Sequence, residues 1–493
     1  MKLTFSFTVA SPPPATGSTA GAAQAGAATG GAHASSHRHP MFRSEPQLDP
    51  PSAHISSGPA PGTKDIFLSP RTQVLFQGTK HSNAQSGPMI LNPKGQLLWF
   101  YPLGGNWVAF NLEVQRYQGR PVLTWWQGGA GEPEEDVIMS ASYRPLAIVR
   151  GGWGYGSDLH EFQITPQGTA LIDAVVPVRA NLTSIGGPAN GAVDDYVVQE
   201  LDIRTGQVLW EWHALGHVPI AASLYPRGRP GAYDAYHLNS MQQLPGHRLL
   251  VSIRSAWAVY EIDERTGHVI WTLGGKRSSF RMGPGTRFQW QHDAHLNSHG
   301  VLTLFDDAFA EGTQPKQPQS SAKELKIDTA RHTVSLIHTY RHSPPLLAGA
   351  EGSTQLLRSG DVFVGWGSEP FFSQYTASGR QIFSGSFPLG VASYRAYRFP
   401  WTGHPSTPPA LAVSKGKHGV VWLYASWNGA TQLASWRVLA GSSPHSLRSL
   451  EVKPWTGFQT SIRVGSRAHC FAVEALNGRG TVLRRSAVVA APA

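Results

Sequence analysis

Apolar and polar residues alternate over short stretches, and compact polar turns separate those stretches. This is the period of half-buried strands, and the 3.6-residue apolar period of helices is absent. One turn recurs: an Asn or Asp, a short polar turn usually containing Gly, and an apolar run often ending in Trp. Clear copies run Leu91–Trp99, Leu201–Trp210 and Ile262–Trp271; weaker ones are Ser142–Leu146, Ile327–Val334 and Tyr375–Phe383. Glycine supplies positive φ at such turns, and the flanking apolar runs pair as a hairpin. The gaps contain second turns of similar kind at Ile164–Leu171, Leu244–Leu250, Leu296–Leu302 and Leu357–Phe363.

The six copies stand about 50 to 65 residues apart, room for one four-stranded blade and a loop. The pattern predicts an all-β fold, a six-bladed β-propeller over residues 42–404. Past Pro400 the rhythm changes. Val420–Ala430, Ala434–Gly441 and Cys470–Asn477 suggest a small fibronectin III or immunoglobulin-like β-sandwich over 405–493. At the other end, Leu3, Phe5, Phe7 and Val9 alternate as an isolated strand over 1–10, a remnant of an upstream domain. The Ala/Gly/Ser/Pro-rich tract 11–41 reads as a flexible linker.

Composition agrees with short strands and tight turns: 53 Gly, 37 Pro and 16 Trp accompany only 15% charged residues. The lone cysteine, Cys470, excludes an internal disulfide and a cysteine-rich metal site, and reads as a small buried hydrophobe. The formal charge is +10, but no Lys/Arg run marks a nucleic-acid partner. A positive field instead favours anionic small molecules. No stretch approaches the roughly eighteen apolar residues of a membrane span.

Four of the 21 histidines stand in unusual settings: His160 in Asp158–Phe162, His237 in Tyr236–Ser240, and His292 with His295 in Trp290–His295. Each precedes a blade-type apolar segment, so on a propeller they would converge at the central channel. Taken singly, each is as well explained as a structural or surface histidine. Asn239 belongs beside them, as does Arg254, which interrupts a strand-like stretch and needs a partner or an anionic ligand. Trp257 and Trp290 could stack on aromatic rings. Two rival readings remain open: a metalloenzyme ligated by His160, His237, His292 and His295, and a non-catalytic binding propeller such as a glycan or cell-surface adhesin. The chain has no phosphate-binding Gly-x-x-x-x-Gly-Lys-Ser/Thr loop, which sets aside nucleotide-dependent sulfotransferases.

The block from Asp234 to Ala308 resembles the bacterial-type arylsulfate sulfotransferase family, whose enzymes use no nucleotide sulfuryl donor. The resemblance rests on His237-Leu238-Asn239, Arg254, Tyr260–Asp263, Trp271–Lys276, Gln291–His295 and Leu304–Ala308. It extends from Phe42 to Phe399, through Gly87–Ile90, Asp158–Phe162 and Tyr394–Pro400. It implies a six-bladed propeller that passes a sulfuryl group from an aryl sulfate to a phenol by a ping-pong route, with neither cofactor nor metal. His292 matches the nucleophile that becomes transiently sulfated. His160, His237, Asn239 and Arg254 match the groups that bind the sulfuryl oxygens. His295 falls where the family pattern need not have a histidine and is an accessory candidate, as are Trp290 and Trp257. The resemblance also implies export or a cell-surface location, while the N-terminus carries no convincing signal peptide.

Overall fold

A computed structural model describes residues 42–58, 64–72, 83–226, 228, 231–310, 313–416 and 420–492. The strand expected at 1–10 and the linker at 11–41 lie outside them. Within them the chain is all-β: strands joined by loops, with only single-turn 3₁₀ segments. No helix there is long and apolar enough to cross a membrane.

Six antiparallel sheets occupy residues 54–399. In chain order, the first is Val108–Tyr117, Arg120–Gly129, Glu132–Ser140 and Pro145–Val149; the second is Phe162–Ile164, Ala170–Ala180, Gly191–Leu201 and Val208–His213. The third is Leu238–Leu244, Arg248–Ile253, Ala258–Asp263 and Val269–Gly274. The fourth is His292–Leu296, Val301–Asp306, Ser321–Asp328 and Thr333–Arg341, with a short parallel addition at Arg281–Met282. The fifth is Ser353–Leu356, Val362–Gly365, Phe371–Tyr375 and Gln381–Ser386, edged by His54–Ser57. The sixth draws on both ends of this region: Ala392–Phe399 pairs antiparallel with Asp65–Arg71, followed by Met89–Leu91 and Leu97–Phe100.

All six recurrent turns join the third and fourth strands of a sheet. The Asn or Asp at the turn caps it: Asn92 Oδ1 accepts the Lys94 and Gln96 amides at 2.9 and 3.0 Å, and Asp202 Oδ1 accepts those of Arg204 and Thr205 at 3.0 and 2.8 Å. Gly95, Gly206, Gly267 and Gly379 supply the positive φ. Two of the weaker copies are weak for a physical reason. There Tyr143 and His332, with φ of 58° and 50°, occupy the left-handed conformation that glycine takes elsewhere.

The core lies between sheet faces. Side chains alternate across a strand, so Leu249 and Val251 pack with Leu171, Val198 and Trp212 of the second sheet, while Leu250 packs with Leu302, Leu304 and Leu325 of the fourth. Each strand buried in this way gains roughly 1.5–3 kcal/mol per large aliphatic side chain. Cys470 is buried beside Phe471 and Ala472, as expected of a small hydrophobe.

Two further sheets follow residue 410. Ala410–Lys415, Val421–Ser426 and Gln459–Val464 form one; Arg448–Pro454, Ser435–Gly441, Cys470–Leu476 and Val482–Arg485 form the other, with Val489–Ala490 also paired to Cys470–Leu476. They share a core of Leu423, Trp436, Val438, Ile462, Phe471 and Val473. Asn428 ties this region to the edge strand Leu97–Phe100: its Oδ1 accepts the Phe100 amide at 3.0 Å and its Nδ2 donates to the Phe100 carbonyl at 2.8 Å. Asn428→Ala leaves both groups unpaired and should cost about 1–3 kcal/mol. Urea unfolding should show a lower midpoint with an unchanged slope.

Candidate active site

Antiparallel pairing puts the start of each sheet's first strand at the same end as the finish of its second. His160 and His237 stand just before first strands and His292 opens one, whereas Arg254 and Asp307 follow second strands directly. The sequence-separated groups therefore meet at one end of the sheets. His160 and His237 pack ring to ring, 5.0 Å between centroids, and Tyr394 lies edge-on to both His160 and His292 at 6.0 and 6.3 Å.

Each of these three histidines has its Nδ1 tied to an aspartate: His160 to Asp158, His237 to Asp234 at 2.6 Å, and His292 to Asp307 at 2.8 Å. This leaves Nε2 as the nitrogen available for chemistry. His292 Nε2 accepts the Glu351 main-chain amide at 3.3 Å, so that nitrogen carries a lone pair and the proton lies on Nδ1, toward Asp307. Burial, reinforced by the positive charge of Arg254, pushes the His292 pKa well below the ordinary imidazole value. Burial likewise raises the Asp307 carboxyl, with Arg254 opposing. Both shifts disfavour an ion pair between His292 and Asp307, and both favour an uncharged imidazole. Burial also lowers His237. For Asp234 and Asp158 burial acts upward, but the adjacent histidines outweigh it and hold both below the usual carboxylate range.

Arg254 sits in a 3₁₀ turn, Arg254–Ala256, that ends the strand Arg248–Ile253. It is only 6% exposed, yet among the described residues it forms no ion pair with a carboxylate. Among the described residues its one side-chain hydrogen bond is Nη2 to the Gly349 carbonyl at 3.3 Å, and its buried Nε has no partner there. The guanidinium lies 5.2 Å from the Trp290 ring, which meets Trp257 and Tyr225 edge-on at 5.2 and 6.3 Å. Asp234 and Asp307 feel its charge without bonding to it, so the buried guanidinium keeps donors suited to an anionic ligand. Asn239 is buried, and its Nδ2 donates to the Gln291 carbonyl at 2.7 Å, bracing the residue before His292. His237, Trp257, Trp290, Asp293 and Glu351 all have φ between 53° and 73°, strain of a kind that collects at functional sites.

His295 is not brought to this cluster. The strand bulges between His292 and His295, and His295 lines a separate cavity of about 580 Å³ with Glu113, Glu161 and Met241. Its Nε2 bonds Asp293 at 3.0 Å. Burial opposes protonation, but Asp293 outweighs it and raises His295, while Asp293 itself, facing Arg395, is held at about 2 despite its burial. The four histidines of the metalloenzyme reading form no ligand set. Among the described residues the group spaced for a metal is Asp158, His160 and Asp173, within 4.8 Å of one another, and in it His160 already bonds Asp158 directly.

Sequence reasoning missed the aspartates, the Glu351 amide and Arg395. The buried Arg395 guanidinium bonds Asn111 and Glu161 at 3.0 Å each and the Asn239 carbonyl at 3.0 Å. Asp158 and Asp234 stand two and three residues before their histidines, a spacing that could have flagged them; Asp307 carried no such signal.

These features define an all-β protein with a neutral, aspartate-oriented imidazole beside an anion-seeking arginine. The chain belongs to the arylsulfotransferase (ASST) family, whose model matches residues 134–388, slightly more than half of it. No curated protein matches the chain. Among solved structures, a protein of unknown function from Bacteroides caccae is similar at 10% identity over 69% of this chain and 99% of that one, with a TM-score of 0.42. Apo AztD from Citrobacter koseri is 10% identical over 69% and 99%, TM-score 0.31, and Hsv2 from Kluyveromyces lactis 10% identical over 66% and 82%, TM-score 0.30. Likeness this low supports no functional inference.

Because the neutral form of an imidazole is lost only below its folded-state pKa, a depressed His292 should stay neutral on acidification. NMR of protein with ¹⁵N-labelled histidine should find it as the Nδ1–H tautomer at about pH 6, where an ordinary imidazole is mostly protonated. A His292 signal titrating near 6.5 or above would contradict the environment described.

Proposed function

We propose that this chain is a six-bladed β-propeller over residues 42–404, with a fibronectin III-like sandwich over 405–493, that transfers a sulfuryl group from an aryl sulfate to a phenol through a sulfated His292. Six sheets joined in chain order, the sixth built from both ends of the region, support the propeller. Two sheets sharing one core support the sandwich.

The observation that carries the catalytic reading is the buried Arg254, which forms no ion pair among the described residues, beside a His292 imidazole whose pKa is held down. In the first step the His292 Nε2 lone pair attacks sulfur. An N–S bond forms, the S–O(aryl) bond breaks, and its electron pair leaves as phenolate, which takes a proton from solvent. In the second step the acceptor oxygen attacks the same sulfur after giving its proton to solvent, and the N–S electron pair returns to Nε2. Splitting one displacement into two is the gain from covalent catalysis. Arg254, His160 and His237 surround the sulfuryl oxygens, whose charge is redistributed in the transition state. Asn239 supports the nucleophile through Gln291 and keeps one amide hydrogen for an oxygen. Trp257, Trp290 and Tyr225 offer ring faces and edges to the aryl groups.

Mixing the protein with 4-nitrophenyl sulfate and no acceptor should release a burst of phenol and leave an acid-labile adduct of about 80 Da on His292, the mass of a transferred sulfuryl group. His292→Ala should lose burst and adduct together. Arg254→Ala should retain the adduct but form it at least ~10²-fold more slowly, as expected when a donor to a developing charge is removed. An adduct mapping to His160, His237 or His295, or persisting in His292→Ala, would refute the assignment.

A further inference from the structure

The segment Trp271-Thr272-Leu273-Gly274-Gly275-Lys276 takes no part in the chemistry above, yet it lies directly behind the turn that carries Arg254. Gly274 and Ala258 are opposed in the ladder between the third and fourth strands of their sheet. A Cβ on Gly274 would come within 2.6 Å of the Trp257 carbonyl oxygen, and one on Gly275 within 2.8 Å of that of Ala256. With φ of 87° and 63°, both positions also favour glycine. The hairpin end therefore presses its bare backbone against one side of the Arg254–Trp257 turn.

The other side is held by residues 221–224. The Leu224 amide donates to the Ser255 carbonyl at 2.7 Å. Lys276 reaches back from the hairpin end to this same segment, its Nζ donating to the Ala221 and Ser223 carbonyls at 2.8 and 2.7 Å. Between the two lies a cavity of about 300 Å³, lined by Ala221, Ala222, Tyr260, Thr272, Gly274 and Lys276. With open space there, the segment is fixed to the hairpin by the ammonium's polar bonds more than by close packing, and an ammonium with three donors can span such a gap.

We propose that Lys276 is a positioning residue for Arg254: by tying residues 221–224 to the Gly274–Gly275 hairpin end, it closes a bracket around the turn that aims the guanidinium at the sulfuryl group. The proposal rests on the role given to Arg254 above. Displacing a catalytic group by a fraction of an ångström to an ångström costs up to about 10²-fold in rate. Lys276→Met keeps the aliphatic stem and loses the donors, whereas Lys276→Arg keeps a donor head.

Two measurements on the full chain test it. Hydrogen exchange of the Arg254, Ser255 and Trp257 amides, bonded to the His237, Tyr236 and Arg254 carbonyls, reads the turn without reference to activity. Lys276→Met should accelerate exchange there and leave the amides of the Phe162–Ile164 strand unchanged, and Lys276→Arg should restore slow exchange. Should Lys276→Met fail to fold, Lys276→Gln, which lacks the charge and reach, takes its place. In burst kinetics with 4-nitrophenyl sulfate, Lys276→Met should slow adduct formation by ~10-fold or more, a loss within the range for misplaced catalytic groups. In an Arg254→Ala background it should add no further loss. Unchanged exchange at the turn, or an equal loss in both backgrounds, overturns the bracket. If the wild-type protein forms no adduct, the sulfuryl-transfer reading falls, and the exchange measurement still decides the bracket.

Discussion

The structure depends most on one buried cation, Arg395. Its guanidinium reaches Asn111, Glu161 and the Asn239 carbonyl and lies 3.6 Å from Asp293, so one side chain from the strand Ala392–Phe399 bonds to groups from four other sheets. Three of those groups are neighbours in sequence of the candidate catalytic residues: Glu161 of His160, Asn239 of His237 and Asp293 of His292. Removing one partner of such a buried ionic network typically costs about 3–5 kcal/mol, because the remaining charges lose their compensation. The network thus joins the segments that carry the three histidines, and the candidate site inherits its geometry from an ion cluster.

The electrostatics are divided. Arg395 is ion-paired with Glu161 and Asp293, whereas Arg254 forms no ion pair among the described residues and reaches the Gly349 carbonyl at 3.3 Å. The first arrangement stabilises the fold; the second costs stability, which an anion would restore on binding. Burial keeps the His292 imidazole uncharged, and the arginine beside it pushes in the same direction.

The all-β class was legible because strands and their turns announce themselves locally. An Asn or Asp that caps its own turn, followed by glycine at positive φ, is readable from a handful of residues, and the copies at Tyr143 and His332 were faint because a side chain stands where glycine would. The site was only partly legible. Family resemblance marked His160, His237, His292, Asn239 and Arg254 and set His295 apart as an accessory candidate, but no sequence pattern announces the bulge after which His295 lines a different cavity. Asp307 was invisible for another reason: its pairing with His292 arises only when the end of one strand folds back beside the start of its neighbour. Arg395 lay within a recognised segment, but its importance comes from convergence across sheets, which a linear reading cannot see.

The sheet formed from both ends of the region has a consequence in time as well as space. During synthesis, Asp65–Arg71, Met89–Leu91 and Leu97–Phe100 leave the ribosome early, yet the strand that must lie beside Asp65–Arg71, and that brings Tyr394 and Arg395, emerges some three hundred residues later. Until then the early strands present an open edge to the cell. Until Ala392–Phe399 is made, the groups that Arg395 gathers from four other sheets have no common partner to hold them together.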